Sequence, residues 1–138
     1  VGPYLPLDSH FAIGNFILNG LQARDILVEG DGSPYRSYLY ASDLMIWLWT
    51  ILFQGQSCHP YNVGSDQDLN IARLAELVSE CFDSQPKVIM RQKADPNKPV
   101  ARYVPDIKRA RDELGLSVEV SLPEAIKKTI NFSEQIND

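Results

Sequence analysis

The sequence predicts an α/β chain of short strands and about five helices. Three observations carry that expectation. Apolar residues recur at helical spacing over 11–23 and 69–82, an all-apolar run and two sets of cap signals mark three further helices, and short extended runs lie between them. Hydrophobic content of 44% and charged content of 22% are those of a globular protein, and 138 residues suffice for one domain with a buried core.

Each element has a local reason. Residues 11–23 (FAIGNFILNGLQA) set Phe11, Ile13, Phe16, Ile17, Leu18 and Leu21 near helical spacing. DILVEGDG, residues 25–32, reads as a short strand ending in a turn, where Gly30 and Gly32 supply unusual backbone angles. A second strand is expected over 36–40, with Ser37 and Leu39 on one face and Arg36, Tyr38 and Tyr40 on the other. Tyr35, Tyr38 and Tyr40 then serve mainly as strand packing. Ser42 or Asp43 is placed to cap a helix over 43–53 by accepting its free N–H groups. PYNVGS, 60–65, reads as a brief strand. Residues 69–82 form an amphipathic helix with Ile71, Leu74, Ala75, Leu77, Val78 and Phe82 apolar. KVIMRQ, 87–92, is a further strand, followed by a proline-punctuated loop over 93–106. Asp106 caps the next helix, which stops at Gly115, and Arg109 and Glu113 lie one helical turn apart on its solvated face. Ser121 to Glu124 (SLPE) fits a capping box for a last helix reaching about residue 134.

The helix over 43–53 stands out. From 44 to 53 it reads LMIWLWTILF, with Thr50 its one polar side chain. Trp47 and Trp49, two positions apart, point to different faces, so such a helix must be covered on several sides. The other elements are few and short. A partner subunit or further polypeptide is therefore expected over it. The opening VGPYLP, without an initiator methionine, suggests a longer natural protein, although trimming or processing gives the same start.

Composition excludes several function classes. A net charge of −5 disfavours nucleic acid and anionic membrane as partners. The run from Leu44 is too short to span a bilayer, and no signal peptide precedes it. Cys58 and Cys81 show neither metal-ligand spacing nor a disulfide framework, which points to a reduced, cytoplasmic setting. His10 and His59 sit in polar turns without partners at metal spacing. There are no internal repeats.

One residue asks for a chemical explanation. Arg36 stands between a glycine turn and the most apolar segment of the chain. It reads either as a surface or salt-bridged arginine, or as an anion clamp whose guanidinium fork matches phosphate oxygens. The glycine turn beside it lets a ligand approach the backbone closely.

GDGSPYRSYLYASDL, residues 30–44, resembles the segment G-x-G-x-x-x-R-D/S-x-x-Y/H-V-x-D of the extended short-chain dehydrogenase/reductases that act on nucleotide-diphosphate sugars. These include the dTDP-glucose 4,6-dehydratases, the UDP-glucuronate decarboxylases and the UDP-galactose 4-epimerases. The similarity continues in order along nearly the whole chain. VGPY resembles the Y-G-P after the sixth Rossmann strand, FILNGL the next helix, and PYNVGSDQDLNIARLAELV the Y-N-I-G strand with its helix. RYVPDIKRARDELGL and SLPEAIKKTINF resemble the closing motifs of the family. The glycine fingerprint G-x-x-G-x-x-G and the catalytic Y-x-x-x-K of the N-terminal half are absent from this sequence; Gly30-Asp31-Gly32 lacks the third glycine and the βαβ context. The resemblance thus implies that residues 1–138 are the C-terminal, substrate-binding part of an extended Rossmann enzyme. It also implies no catalytic residue and no bound cofactor in this chain, with NAD or NADP held by the N-terminal half.

The resemblance carries over residue by residue. Arg36 matches the arginine that grips the nucleotide diphosphate. Asn70 matches an asparagine contacting the diphosphate, and by its position before IARLAEL it is equally a helix cap. Phe11 and Ala12 occupy the positions that supply a lysine and a backbone amide to the nucleotide in the dehydratases. Phenylalanine cannot donate that charge. Leu27 and Glu29 fall where proline and tyrosine flank the base, and Glu29 cannot stack as tyrosine does, so the base is not inherited. A second phosphate arginine aligns with Pro96, and Lys98 or Arg102 is the expected substitute. Tyr103 matches a common aromatic, and Asp106 is a cap rather than a ligand group. The implied protein is an NAD-dependent epimerase/dehydratase, a dehydratase or relative using a 4-keto sugar intermediate. It would bind a nucleotide-diphosphate sugar and form a homodimer or swapped oligomer. A non-catalytic nucleotide-sugar-binding or assembly module is the alternative.

Overall fold

A computed structural model describes residues 1–9, 11–95, 97 and 99–136. In chain order the elements are α1 (Ala12–Leu21), β1 (Ile26–Val28), β2 (Tyr35–Arg36), α2 (Ala41–Gln54), β3 (Leu69–Asn70), α3 (Ile71–Glu80), β4 (Val88–Met90), β5 (Arg102–Tyr103), α4 (Lys108–Leu114) and α5 (Leu122–Gln135). The five helices stand where apolar spacing, the all-apolar run and the cap signals place them. The strands are very short and form two small sheets. β1 and β4 pair in parallel, Leu27 opposite Ile89. β2 is the middle strand of the other sheet, antiparallel to β3 and parallel to β5.

Two apolar clusters hold these elements. The larger joins Phe16 and Ile17 of α1, Ile26 and Val28 of β1, Leu74 and Val78 of α3, and Ile126 and Ile130 of α5. Each such side chain contributes roughly 1.5–3 kcal/mol relative to exposure. The smaller joins Trp47 of α2 to Ile107, Ala110 and Leu116 around α4. The Trp47 indole N–H donates to the Ser117 carbonyl at 2.9 Å, so the one tryptophan that is buried is also satisfied. Gly115 ends α4 with φ 63°, and the Leu116 N–H reaches back to the Ala110 carbonyl at 3.3 Å.

Several local expectations are corrected. β2 stops at Arg36, and residues 60–65 form no strand. The Ser37 hydroxyl takes both backbone groups of Ser65, donating to its carbonyl at 2.6 Å and accepting from its N–H at 2.9 Å. A side chain has replaced the ladder there. β3 precedes the expected helix, which begins at Ile71, and β5 lies inside the expected loop because pairing with β2 orders it. Asp106 stands one residue outside the cap position of α4, yet its Oδ1 still accepts from the Lys108 N–H at 2.8 Å. Ser121 holds the cap position of α5 without a side-chain bond, and Glu124 pairs instead with Lys128 at 3.2 Å. The expected Arg109–Glu113 pair is present at 3.7 Å.

Neither Ser42 nor Asp43 caps α2, whose N-terminal flank is Tyr40. Asp43 is 1% exposed, and its Oδ2 accepts from the N–H groups of both Glu119 and Val120 at 3.0 Å. A buried carboxylate is tolerable only when so paired. It ties the segment before α5 onto the first turn of α2. Among the described residues, no helix is long and apolar enough to cross a membrane. The outer face of α2 is nonetheless open: Trp49, Leu52 and Phe53 are 53%, 69% and 74% exposed, and the Trp49 and Phe53 rings stack at 5.5 Å. Trp47 and Trp49 do point to different sides.

Asp43→Ala is expected to lower stability by roughly 1–2 kcal/mol, because it leaves two part-buried N–H groups without their acceptor. Asp43→Asn keeps one acceptor oxygen and loses about half as much. Urea unfolding of the three proteins measures both.

Candidate functional site: a groove centred on Arg36

Two glycine-bounded turns and three short strands position the groove. Gly32, at φ +74°, lets the turn after β1 press on α3: a Cβ there would stand 2.8 Å from the Ala72 Cβ. The Ala72 and Ile71 N–H groups donate to the carbonyls of Gly32 and Pro34, each at 3.0 Å, which fixes the turn to the start of α3. Asp31 closes the turn itself, its Oδ1 accepting from the Ser33 N–H at 3.0 Å and hydroxyl at 2.8 Å. Tyr35 and Arg36 follow directly, held on one side by β3 and on the other by β5.

Three neighbouring cavities lie around this region. The first, about 370 Å³, is lined by Ala12, Asn15 and Phe16 of α1, by Leu27 and Glu29, and by Ile71. The second, about 600 Å³, shares Ala12 and Ile71 with the first and adds Phe11, Tyr38 and Arg36. The third, about 670 Å³, shares Arg36 and Ser37 with the second and continues past Asn62, Gly64 and Tyr103 to Asp106. Neighbouring cavities share lining residues, so together they are treated as one groove region, apolar at the α1 end and more polar at the other, with Arg36 common to the second and third.

The charge on Arg36 has no partner carboxylate. Among the described residues none lies within ion-pair distance, and the guanidinium Nη1 donates only to the Tyr35 carbonyl, at 2.7 Å. Burial pushes the Tyr38 phenol up to about 12 despite the opposing pull of Arg36, so Tyr38 stays neutral in the ordinary range. The third cavity has a braced wall. Asn62 Nδ2 donates to the Asp106 carbonyl at 2.9 Å, the Tyr61 hydroxyl to Glu113 Oε2 at 2.7 Å, and Arg109 Nη1 to the Pro60 carbonyl at 3.0 Å.

The structure brings some of the expected residues together and separates others. Arg36, Phe11, Ala12, Leu27 and Glu29 all line the groove. Glu29, just after β1, is ion-paired at 3.1 Å with Arg91, which directly follows β4. Asn70 and Arg102 line none of the three cavities. Residues directly opposite on paired strands share a face, so Asn70 and Arg102 go with Tyr35, while Leu69 and Tyr103 go with Arg36. Arg102 lies over the Tyr35 ring at 5.4 Å and pairs with Asp68; Asn70 Oδ1 accepts from the Arg73 N–H at 2.8 Å as the cap of α3. Its capping role is thus the one formed here. Lys98 and Pro96 lie outside the described residues. Sequence reasoning did not single out Asn15, Ile71 or Asn62. Asn15 was within reach, standing three residues after Ala12 on the same face of α1.

No protein-family model matches the chain. Among curated proteins it is 32% identical over 133 residues to UDP-glucuronic acid decarboxylase 1 of Xenopus tropicalis, covering 95% of this chain and 30% of that protein. It is 30% identical over 127 residues to UDP-glucuronic acid decarboxylase 4 of Arabidopsis thaliana, covering 91% of this chain and 28% of that protein. The chain therefore spans about a third of the length of these relatives. The fold is shared with solved structures. UDP-glucose 4-epimerase of Thermotoga maritima, in complex with UDP-glucose, superposes with a TM-score of 0.82 at 23% identity, over 100% of this chain and 44% of the epimerase. A dTDP-glucose 4,6-dehydratase of Bacillus anthracis, in complex with NAD, gives 0.77 at 17% identity, over 98% and 42%. In sequence this chain is similar to the UDP-glucuronic acid decarboxylases, and its fold is that of the C-terminal portions of Rossmann-type sugar epimerases and dehydratases.

Proposed function

We propose that the groove holds a nucleoside-diphosphate sugar and that the chain is the substrate-binding part of an NAD-dependent enzyme using a 4-keto sugar intermediate. The observation that carries this reading is the unpaired guanidinium of Arg36 at the junction of an apolar and a more polar cavity. A ligand with a flat apolar end, a doubly charged centre and a polar end matches that sequence of environments. The heterocycle lies in the slot between Leu27 and Ala12, the diphosphate at Arg36, and the sugar continues toward Asn62 and Tyr103. A guanidinium fork suits the diphosphate oxygens because it donates two parallel hydrogen bonds along with its charge. Glu29 leaves the base open: a carboxylate offers no ring on which a base can stack.

The cofactor is assigned to residues outside this chain. What supports that reading is the sequence, which lacks G-x-x-G-x-x-G and Y-x-x-x-K, and the Gly30–Gly32 turn, where Gly32 packs on Ala72. NAD or NADP then belongs to another part of the enzyme, and no step of its chemistry is assigned to residues of this chain. Calorimetry with the chain alone is expected to give no heat of NAD binding; micromolar binding would refute the substrate-binding reading. With free cysteines at Cys58 and Cys81, a cytoplasmic setting fits.

The open face of α2 is proposed as a contact surface, and the isolated chain is expected to self-associate through it. Light scattering should show oligomers that Leu52→Lys with Phe53→Glu disperses. A monomer at high concentration that binds no apolar dye would count against this.

Arg36→Ala in the complete enzyme should raise KM about ten- to a hundredfold, from the loss of a charged bidentate contact. The diphosphate is gripped alike in ground and transition states, so kcat should change little. Arg36→Lys recovers part of the loss, since a point charge cannot form the fork. Urea unfolding should be unaltered. Loss of the fold with unchanged KM would make Arg36 a structural residue.

A further inference from the structure

We infer that Ser37 is a positioning residue for the Arg36 clamp, an inference that rests on the reading of Arg36 as the diphosphate contact. The argument starts from how little holds Arg36 itself. Its strand is two residues long, and its guanidinium makes a single hydrogen bond, to the carbonyl of its own neighbour. Pairing with β3 and β5 fixes the backbone of Tyr35 and Arg36, but that pairing stops at Arg36. Whatever directs the chain immediately afterwards sets the angle at which the arginine leaves the strand.

Ser37 is that element. Its hydroxyl donates to the Ser65 carbonyl at 2.6 Å and accepts from the Ser65 N–H at 2.9 Å, so a single oxygen replaces both bonds of a strand pair. Ser65 is a firm anchor: it is 3% exposed, and its own hydroxyl accepts from the Gln67 N–H at 3.1 Å. The residue before it leaves no slack. A Cβ on Gly64 would stand 2.7 Å from the Pro105 ring and 3.4 Å from Ser37 Oγ. Pro105 follows β5 closely, so the latch also links β2 to the strand on its parallel side. Ser37 and Gly64 line the same cavity as Arg36. The latch therefore lies on the wall of that cavity, next to Arg36.

The test uses calorimetry on the chain with two probes, UDP and uridine, which differ only in the diphosphate. Ser37→Ala is expected to weaken UDP about fivefold, the worth of one ordinary hydrogen bond, and to leave uridine unchanged. In an Arg36→Ala background the same substitution should have no further effect on UDP, because the residue it acts through is gone. Ser37→Thr, which keeps the hydroxyl, should restore most of the affinity. Equal weakening of UDP and uridine, or effects of Ser37→Ala and Arg36→Ala that simply add, would reduce Ser37 to a general structural role and overturn the inference. So would an unchanged UDP affinity. If Arg36→Ala itself left UDP binding intact, or if neither UDP nor dTDP, ADP, GDP or CDP bound at all, the reading of the groove would fail and this inference with it.

Discussion

A two-residue strand with partners on both edges is the constraint on which this molecule's groove depends. Tyr35 and Arg36 pair with Leu69 and Asn70 on one side and with Arg102 and Tyr103 on the other, so three segments far apart in sequence meet at four backbone groups. Strands this short are weak alone, and only simultaneous pairing on two edges makes them a stable ribbon. The apolar cluster of α1, β1, α3 and α5 supplies the platform against which the ribbon is set.

The same pairing decides which charges can act together. Successive residues on a strand face opposite ways, so Arg36 and Arg102, in neighbouring strands but opposite Tyr103 and Tyr35 respectively, are directed to different faces. Arg102 is then neutralised by Asp68 and stacked on an aromatic ring, whereas Arg36 keeps its charge for the groove. An exposed ion pair such as Arg102–Asp68 contributes little stability. Arg36, by contrast, lines two of the three cavities, and Arg102 none.

Two polar side chains tie the loops to this frame. Asp43 binds the segment before α5 through two N–H groups, and Ser37 binds residues 64–65 through one hydroxyl. Each puts a side chain where a sequence pattern suggested ordinary capping or strand pairing. Both choices are local in chemistry but long-range in chain position, 76 and 28 residues apart.

The five helices, the end of α4 at Gly115 and the singular apolar character of α2 were legible in the sequence, because helical periodicity and glycine caps act over a few neighbouring residues. The family likeness was legible too, since five motifs stand in order along the chain. So was Arg36, through its unusual setting between a glycine turn and an apolar run. The lengths of β2, β3 and β5, the loss of the expected strands at 36–40 and 60–65, and the withdrawal of Arg102 and Asn70 from the groove were decided only in three dimensions. Strand pairing, buried carboxylates and hydroxyl latches take their partners from distant segments, and no local pattern encodes which distant backbone group will be waiting.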